Sequence, residues 1–466
     1  MCLNGEYAFT GNQEAPESKG IVQMRQYQSW GRYPKARHAL SLRVFWRNEL
    51  PQLQSLPHSV LPFAQGRSYG DCCLNEGGIL LDTSFLSRFI AFDKEQGILS
   101  CEAGVTLADI LELVVPLGWF LPVTPGTKYV SIGGAIANDV HGKNHHRSGT
   151  FGCHVRRFEL LRSCGERFLC SPTQNPELFR ATIGGLGLTG LILWAELQLK
   201  PIPNPSITVE RIPFAHLNEF FELAASSDRE YEYTVAWIDG LARGEKMGRG
   251  IFIRGNHTEP ASKKAADAKK PRPVRLFFGA PAFLHNRAAM RMFNAAYYYS
   301  ELRNKKQNVV HYESFFYPLD AIYGWNRLYG SRGFLQYQCV ISNTTQGHEG
   351  LREIFTRITA SGMASCLAIL KVFGTATSPG ILSFPRPGVT FAIDFPYQGK
   401  KTLQLLEDLD EIIRAHHGAV YPAKDARMSA RSFQTYFPQW TEFSRFIDPK
   451  FSSSFWRRVT TPADGN

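Results

Sequence analysis

The 466-residue chain has no CxxC pair, no internal repeat and no apolar run near the roughly 18 residues that cross a bilayer. Its closest approach to such a run, Leu186 to Leu199, is broken by Glu196 and has the length of a buried strand. The nine cysteines, at 2, 72, 73, 101, 153, 164, 170, 339 and 366, lack the even, close spacing of a disulfide framework. A reducing compartment is therefore expected. Met1-Cys2-Leu3-Asn4-Gly5-Glu6 lacks a basic region followed by an apolar one, so no secretory signal is expected. These absences predict a cytoplasmic protein whose membrane contact is at most peripheral, at the inner face. Acidic residues are also in short supply: 41 Asp and Glu against 52 Lys and Arg give a formal net charge of +11. That balance favours anionic partners such as phosphates, lipid headgroups or nucleic acid. A hydrophobic content of 44% excludes general disorder and supports substantial cores in two or three domains.

What the chain does contain is two runs of small residues. Gly66-Arg67-Ser68-Tyr69-Gly70-Asp71 is followed some way downstream by Pro125-Gly126-Thr127 and by Ser131-Ile132-Gly133-Gly134-Ala135-Ile136-Ala137-Asn138-Asp139-Val140-His141-Gly142. Few side chains there keep a ligand from backbone N–H groups, as a pyrophosphate-bearing cofactor requires. Taken singly, each block also reads as a tight turn between strands. Gly185-Leu186-Gly187-Leu188-Thr189-Gly190 matches GxGxxG, but a Rossmann site needs a strand before it and a helix opening at it. Here Glu177 to Thr182 reads as helix and Leu191 to Leu197 as strand, the reverse order, so a Rossmann nicotinamide site is rejected.

The first half reads as mixed α and β structure. Ile98 to Val105 is strand-like, Thr106-Leu107-Ala108-Asp109 reads as a capping box opening a helix through Leu113, and Phe158–Arg162 with Arg167–Cys170 reads as a hairpin. The prolines of Lys200-Pro201-Ile202-Pro203-Asn204-Pro205 mark a boundary. Beyond it the pattern alternates, as in Phe334 to Val340 and Val389 to Phe395. Alternation puts Gln336 and Gln338 on one strand face, which is either solvated or the lining of a site. Between Asn256 and Arg287 lie Lys263, Lys264, Lys269, Lys270, Arg272 and Arg275 among prolines, then Leu276-Phe277-Phe278. This segment is expected to be a mobile basic loop, either a merely solvated insertion or one that meets an anionic membrane surface. It has no interleaved stacking aromatics, which weighs against nucleic acid.

These motifs, with His141-Gly142-Lys143-Asn144-His145-His146, Gly333-Phe334-Leu335-Gln336-Tyr337-Gln338 and Tyr421-Pro422-Ala423-Lys424-Asp425, occur in the order seen in the decaprenylphosphoryl-β-D-ribose 2'-oxidase family. The resemblance runs from about residue 27 to about 460 and places the chain among flavoproteins of the vanillyl-alcohol oxidase superfamily. It implies an α+β fold: a PCMH-type FAD-binding domain from 1–202 and 419–466, and an inserted substrate domain, 203–418, of antiparallel sheet flanked by helices. It implies FAD contacts from Pro62 to Cys72 (Gly66, Arg67, Ser68, Tyr69, Gly70 and Asp71 among them), from Gly126 and Thr127, from Ser131, Ile132, Gly133 and Gly134, from Asn138, His141 and Gly142, and from Ile192 and Tyr421. Around the substrate it implies Lys371, Lys424, Tyr69, Tyr317, Gln336, Gln338 and Trp237. Superfamily members often bond flavin through a histidine in the first glycine block. None lies between Gly66 and Asp71, so noncovalent FAD is expected.

Oxidising a secondary alcohol requires a base for the hydroxyl proton while hydride leaves the carbon. Lys424 and His141 are the candidates. A lysine near its usual value of about 10.4 must be depressed by burial or a neighbouring cation to serve, and Lys371 is either that cation or a holder of substrate phosphate. His141, His145 and His146 invite a metal reading, but Gly142 argues against the shared helical face it needs, and no metal is expected. Mycobacterial members of the family carry cysteine at the position of Ala392 and asparagine at that of Thr390, which bears on substrate fit. The expected activity is FAD-dependent oxidation of the C2' hydroxyl of a polyprenylphosphoryl-β-D-ribose, the first half of an epimerisation to arabinose completed by a separate NAD(P)H-dependent reductase. The alternatives are an aldonolactone or sugar-alcohol oxidase on the same fold, and a non-catalytic membrane-surface or nucleic-acid binding protein.

Overall fold

The computed structural model describes residues 27–259, 269–272, 274–275, 287–303, 307–363, 365 and 367–461. The N-terminal signal reading and most of the basic segment between Asn256 and Arg287 fall outside these residues.

Three larger sheets and two two-stranded ones build the described part of the fold, which is α+β. A small parallel sheet runs in the order Leu40–Arg43, Ile79–Asp82, Val60–Phe63. An antiparallel sheet of five strands follows the order Phe89–Asp93, Ile98–Glu102, Leu191–Gln198, Val155–Leu161, Arg167–Cys170. The helix Leu107–Val114 packs below it, and Leu107, Ile110, Leu111 and Val114 on its buried face join that core. Its capping box is complete: Asp109 N–H donates to Thr106 Oγ1 at 3.2 Å, and Thr106 N–H to the Asp109 carboxylate at 3.0 Å. The GxGxxG stretch lies between the helix Pro176–Thr182 and the strand Leu191–Gln198, the order that excludes a Rossmann turn.

The third sheet is antiparallel, in the order Asn308–His311, Ser206–Phe214, Gly250–His257, Tyr233–Ile238, Ala368–Phe373, Gly388–Pro396, Phe334–Ile341, Ala419–Val420. Its two faces divide by residue parity. Leu335, Tyr337, Cys339, Phe391 and Ile393 pack with Leu351, Ile354, Phe355, Leu405 and Leu409 of the helices Thr345–Ser361 and Lys400–Ala415. On the opposite parity, register carries one row across the sheet: Gln338 pairs with Ala392, Ala392 with Ile369, Ile369 with Trp237, Trp237 with Ile251. Because pleating sends alternate residues to opposite faces, Gln336, Gln338, Ala392, Lys371, Ile369, Val235 and Trp237 all reach one cavity.

The end of the chain returns to its beginning. Val60 N–H donates to Lys450 O at 2.8 Å, Ser452 N–H to Val60 O at 3.0 Å, and the helix Ser454–Thr460 packs on the turn Asp71–Cys73. Arg458 clamps that junction, reaching Asp71 at 2.6 Å and Asp425 at 2.9 Å.

Candidate active site

A cavity of about 480 Å³ lies between the glycine-rich blocks and the polar face of the large sheet. Ser131 caps the short helix Ile132–Ala137 by accepting from Gly134 N–H at 3.2 Å, and Gly133 N–H donates to Ala103 O, which presses this turn against the neighbouring strand. A Cβ on Gly133 would lie 3.1 Å from Ala103 O, whereas one on Gly126 would meet nothing within 4 Å. Small residues therefore leave the cavity wall as bare backbone here. Asp139, at φ 41° and fully buried, accepts from Gly152 N–H at 2.8 Å and from the Ser378 and Ser383 hydroxyls at 2.5 Å each, tying the second glycine block to the loop before Gly388. Three buried polar atoms of cavity-lining residues have no partner among the described residues: Arg67 Nε, Asn138 Oδ1 and His141 Nδ1. Buried polar atoms are normally paired, so this wall is complementary to a polar ligand, and it fits a dinucleotide.

The Tyr421-to-Asp425 block is brought to that wall from the far end of the chain. Tyr421 N–H donates to Gln338 O at 2.9 Å, its hydroxyl donates to Asn138 O at 2.7 Å, and its ring stacks on Phe384 with centroids 4.7 Å apart. Tyr69 N–H donates to Ala423 O at 2.9 Å. That bond fixes Lys424 Nζ 3.8 Å from the centre of the Tyr69 ring. Behind this pair, Gln336 Nε2 donates to Asp394 at 2.6 Å and the Tyr329 hydroxyl donates to the same carboxylate at 3.4 Å. The Gln336 amide also engages Tyr69. Asp394, a residue absent from the sequence-level site, stands behind the Lys424–Tyr69 pair; burial pushes its carboxyl up to about 7 against the Gln336 hydrogen bond and the Lys424 charge, so it and Lys424 titrate over the same range.

Lys371 is the electrostatic hub. Burial pushes its ammonium down to about 8. In turn its charge adds to burial in lowering Lys143 to about 7, His145 to about 4, and His141 well below its ordinary range. Lys424 falls to about 7: burial lowers it most, Asp394 opposes, and Lys371 assists. A buried lysine held there is neutral for a large fraction of the time at neutral pH and can accept a proton.

His141 has a defined tautomer. The Thr390 hydroxyl donates to Cys339 O at 2.8 Å and therefore accepts from Gln338 Nε2, at 3.1 Å. The second hydrogen of that amide points to His141 Nε2 at 2.8 Å. Nε2 is then the unprotonated nitrogen, and the unpartnered Nδ1 carries the hydrogen. Burial, with Lys371 beside it, keeps His141 neutral.

Of the residues expected at the site, Gly66, Arg67, Ser68, Tyr69, Gly126, Thr127, Ser131, Gly133, Gly134, Asn138, His141, Gly142, Ile192, Tyr421, Trp237, Gln336, Gln338, Lys371 and Lys424 line the cavity. Four stand behind its wall. Tyr317 is buried with its hydroxyl 2.6 Å from Thr124 Oγ1, so it supports the wall through Thr124. Ile132 is core, its N–H donating to Val105 O. Asp71 is spent on Arg458. Gly70 faces the chain end, where an added Cβ would lie 1.6 Å from Asp425 O. Besides Asp394, Lys143 and Thr124 had no assigned role. Lys143 lines the cavity with its Nζ donating to Phe316 O at 3.0 Å. It sits inside the HGKNHH run, a signal that was on hand, but nothing local marks Asp394.

Residues 52–171 match the family model described as an FAD binding domain. The decaprenylphosphoryl-beta-D-ribose oxidase of Mycolicibacterium smegmatis is 36% identical over 84% of this chain and 87% of its own length. The chain belongs to the decaprenylphosphoryl-β-D-ribose oxidase family. An uncharacterised protein of Streptomyces coelicolor is 32% identical over 76% of this chain and its whole length. A D-lactate dehydrogenase of Anaerostipes hadrus is 28% identical over 31% of each chain. With the matched domain and the complementary wall, the protein is an FAD-dependent oxidoreductase with a PCMH-type domain. No helix among the described residues is long and apolar enough to cross a membrane.

Proposed function

We propose that this chain oxidises the C2' hydroxyl of a polyprenylphosphoryl-β-D-ribose to the 2'-keto sugar. The observation that carries the reading is the buried lysine at about 7 beside Tyr69, on a cavity wall shared by both glycine blocks. Bound FAD supplies the hydride acceptor. Lys424 takes the hydroxyl proton, Asp394 and Gln336 hold the Tyr69 ring against it, and His141, kept neutral by burial, lines the cavity beside them. Burial holds Lys424 down, and repulsion from Lys371 adds to it. Gln338 and Trp237 shape the sugar end of the site, where Ala392 leaves more room than a cysteine would. The first glycine block carries no histidine, which supports noncovalent FAD.

The reading extends to the whole protein. FAD is held by 1–202 with 419–466, and the substrate by 203–418. The keto sugar passes to a separate NAD(P)H-dependent reductase. A net charge of +11 suits peripheral contact with an anionic membrane carrying the lipid substrate. Anaerobic flavin bleaching tests the chemistry: a short-chain polyprenylphosphoryl ribose should bleach the bound flavin and a free aldonolactone should not. Bleaching by the aldonolactone alone would replace this reading with that of a soluble-sugar oxidase.

A further inference from the structure

A second cavity, of about 270 Å³, opens beside the first glycine block and shares Trp30, Gln65, Gly66, Arg67 and Trp325 with the large one. Three arginines line it, Arg32, Arg67 and Arg327, against one carboxylate, Asp320. None of the three forms a salt bridge among the described residues, and Asp320 already accepts from Lys128 N–H at 2.9 Å. The Arg67 guanidinium is clamped between rings, 4.1 Å from the centre of Trp30 and 5.4 Å from that of Tyr129, and Asp320 attracts it. Arg32 has a single long bond, to Gly330 O at 3.4 Å, and Arg327 lies near enough to repel it. The walls are built: Asn326 donates to Trp30 O at 3.1 Å, and Trp30 meets Trp325 edge-on at 5.7 Å. Arg32 and Arg327 repel each other, Arg67 is attracted by Asp320, and three guanidiniums against one carboxylate leave the cavity with an excess of positive charge that an anion would complement.

We propose that this cavity binds a phosphate ester. Phosphate matches the donor forks of the arginines, and two sources share that chemistry, a membrane phospholipid headgroup and free phosphate. The surroundings favour the headgroup. Val274 pairs with Ile322, and Val274 and the adjoining Tyr323 are 60% and 53% exposed beside the arginines. Apolar and aromatic side chains around a cationic pocket are the pattern of an interfacial contact. The inference deepens the peripheral contact proposed above and sets it beside the substrate cavity, so that a lipid-borne substrate would enter from the bilayer.

The test is co-sedimentation of the FAD-loaded protein with phosphatidylglycerol vesicles, phosphatidylcholine vesicles, and phosphatidylglycerol vesicles with added inorganic phosphate. The wild type should bind phosphatidylglycerol vesicles and not phosphatidylcholine ones. The pair Arg32→Gln/Arg327→Gln should weaken binding at least tenfold with FAD content and bleaching by a soluble short-chain substrate unchanged. A control, Arg180→Gln/Arg431→Gln, removes two charges elsewhere and should weaken binding less than threefold. Inorganic phosphate bound calorimetrically by the wild type and not by the first pair, without vesicle binding, would keep the site and assign it to free phosphate. Equal losses in the two pairs, or vesicle and phosphate binding unaffected by the first, would overturn the proposal. Because vesicle binding requires no turnover, its failure is separable from failure of the oxidase reading.

Discussion

The position of Lys424 makes the rate of flavin reduction depend on pH in a defined direction. A base acts in its neutral form, so the rate rises with pH through the group's own value, about 7. For such a group the neutral fraction is about one tenth at pH 6 and about nine tenths at pH 8, a tenfold change in rate. An unperturbed lysine at about 10.4 would be less than about 0.1% neutral at pH 7, so burial supplies about three orders of magnitude in available base. Two neighbours then set opposite corrections. Lys371→Met removes a repelling cation and should move the profile to higher pH. Asp394→Asn removes an attracting carboxylate and should move it to lower pH. Single-turnover anaerobic bleaching at saturating substrate, recorded from pH 5.5 to 9, reads all three profiles without interference from the electron acceptor. A wild-type profile flat between pH 6 and 8, or shifts of the same sign in the two variants, would refute the assignment of Lys424 as base. Lys424→Ala should leave FAD bound and abolish bleaching.

Three further outcomes follow from the packing. Arg458→Ala takes the ion-pair partner from the buried Asp71 carboxylate, while Asp425 keeps the N–H groups of Arg427 and Met428; the change should cost about 3–5 kcal/mol, read as a lowered denaturation midpoint of the FAD-loaded protein. Thr390→Val takes away the acceptor for one Gln338 N–H at a cost of about 1–3 kcal/mol, measurable in the same way, while Thr390→Ser restores most of it. Acid precipitation should release the yellow flavin to the supernatant, and colour kept in the pellet would disprove noncovalent binding.

Local patterns in the chain carried much of the architecture. The capping box at Thr106, the hairpin either side of Ser163 and the alternating strands at Phe334 and Val389 appear where pattern places them, because each rests on neighbours within a few residues. The same holds for the reversed helix and strand around the GxGxxG stretch. The basic segment after Asn256 lies mostly outside the described residues.

The site divides along the same line. By itself the sequence determined the cofactor class, through two glycine-rich blocks that leave backbone bare, and the absence of a histidine at the place where flavin is often bonded. It also supplied Gln336 and Gln338 as a polar strand face. Only the tertiary structure decided which polar groups act. Lys424 stands over Tyr69 because Ala423 takes the Tyr69 N–H from more than three hundred residues away in sequence. Asp71 and Gly70, which sit inside a cofactor motif, are instead committed to Arg458 and the Asp425 carbonyl. Asp394 is brought behind Lys424 through register with Gln336. Backbone exposure is a property of residue type and can be read along the chain. The charge state of a buried lysine depends on burial and on through-space neighbours, which only the assembled fold brings together.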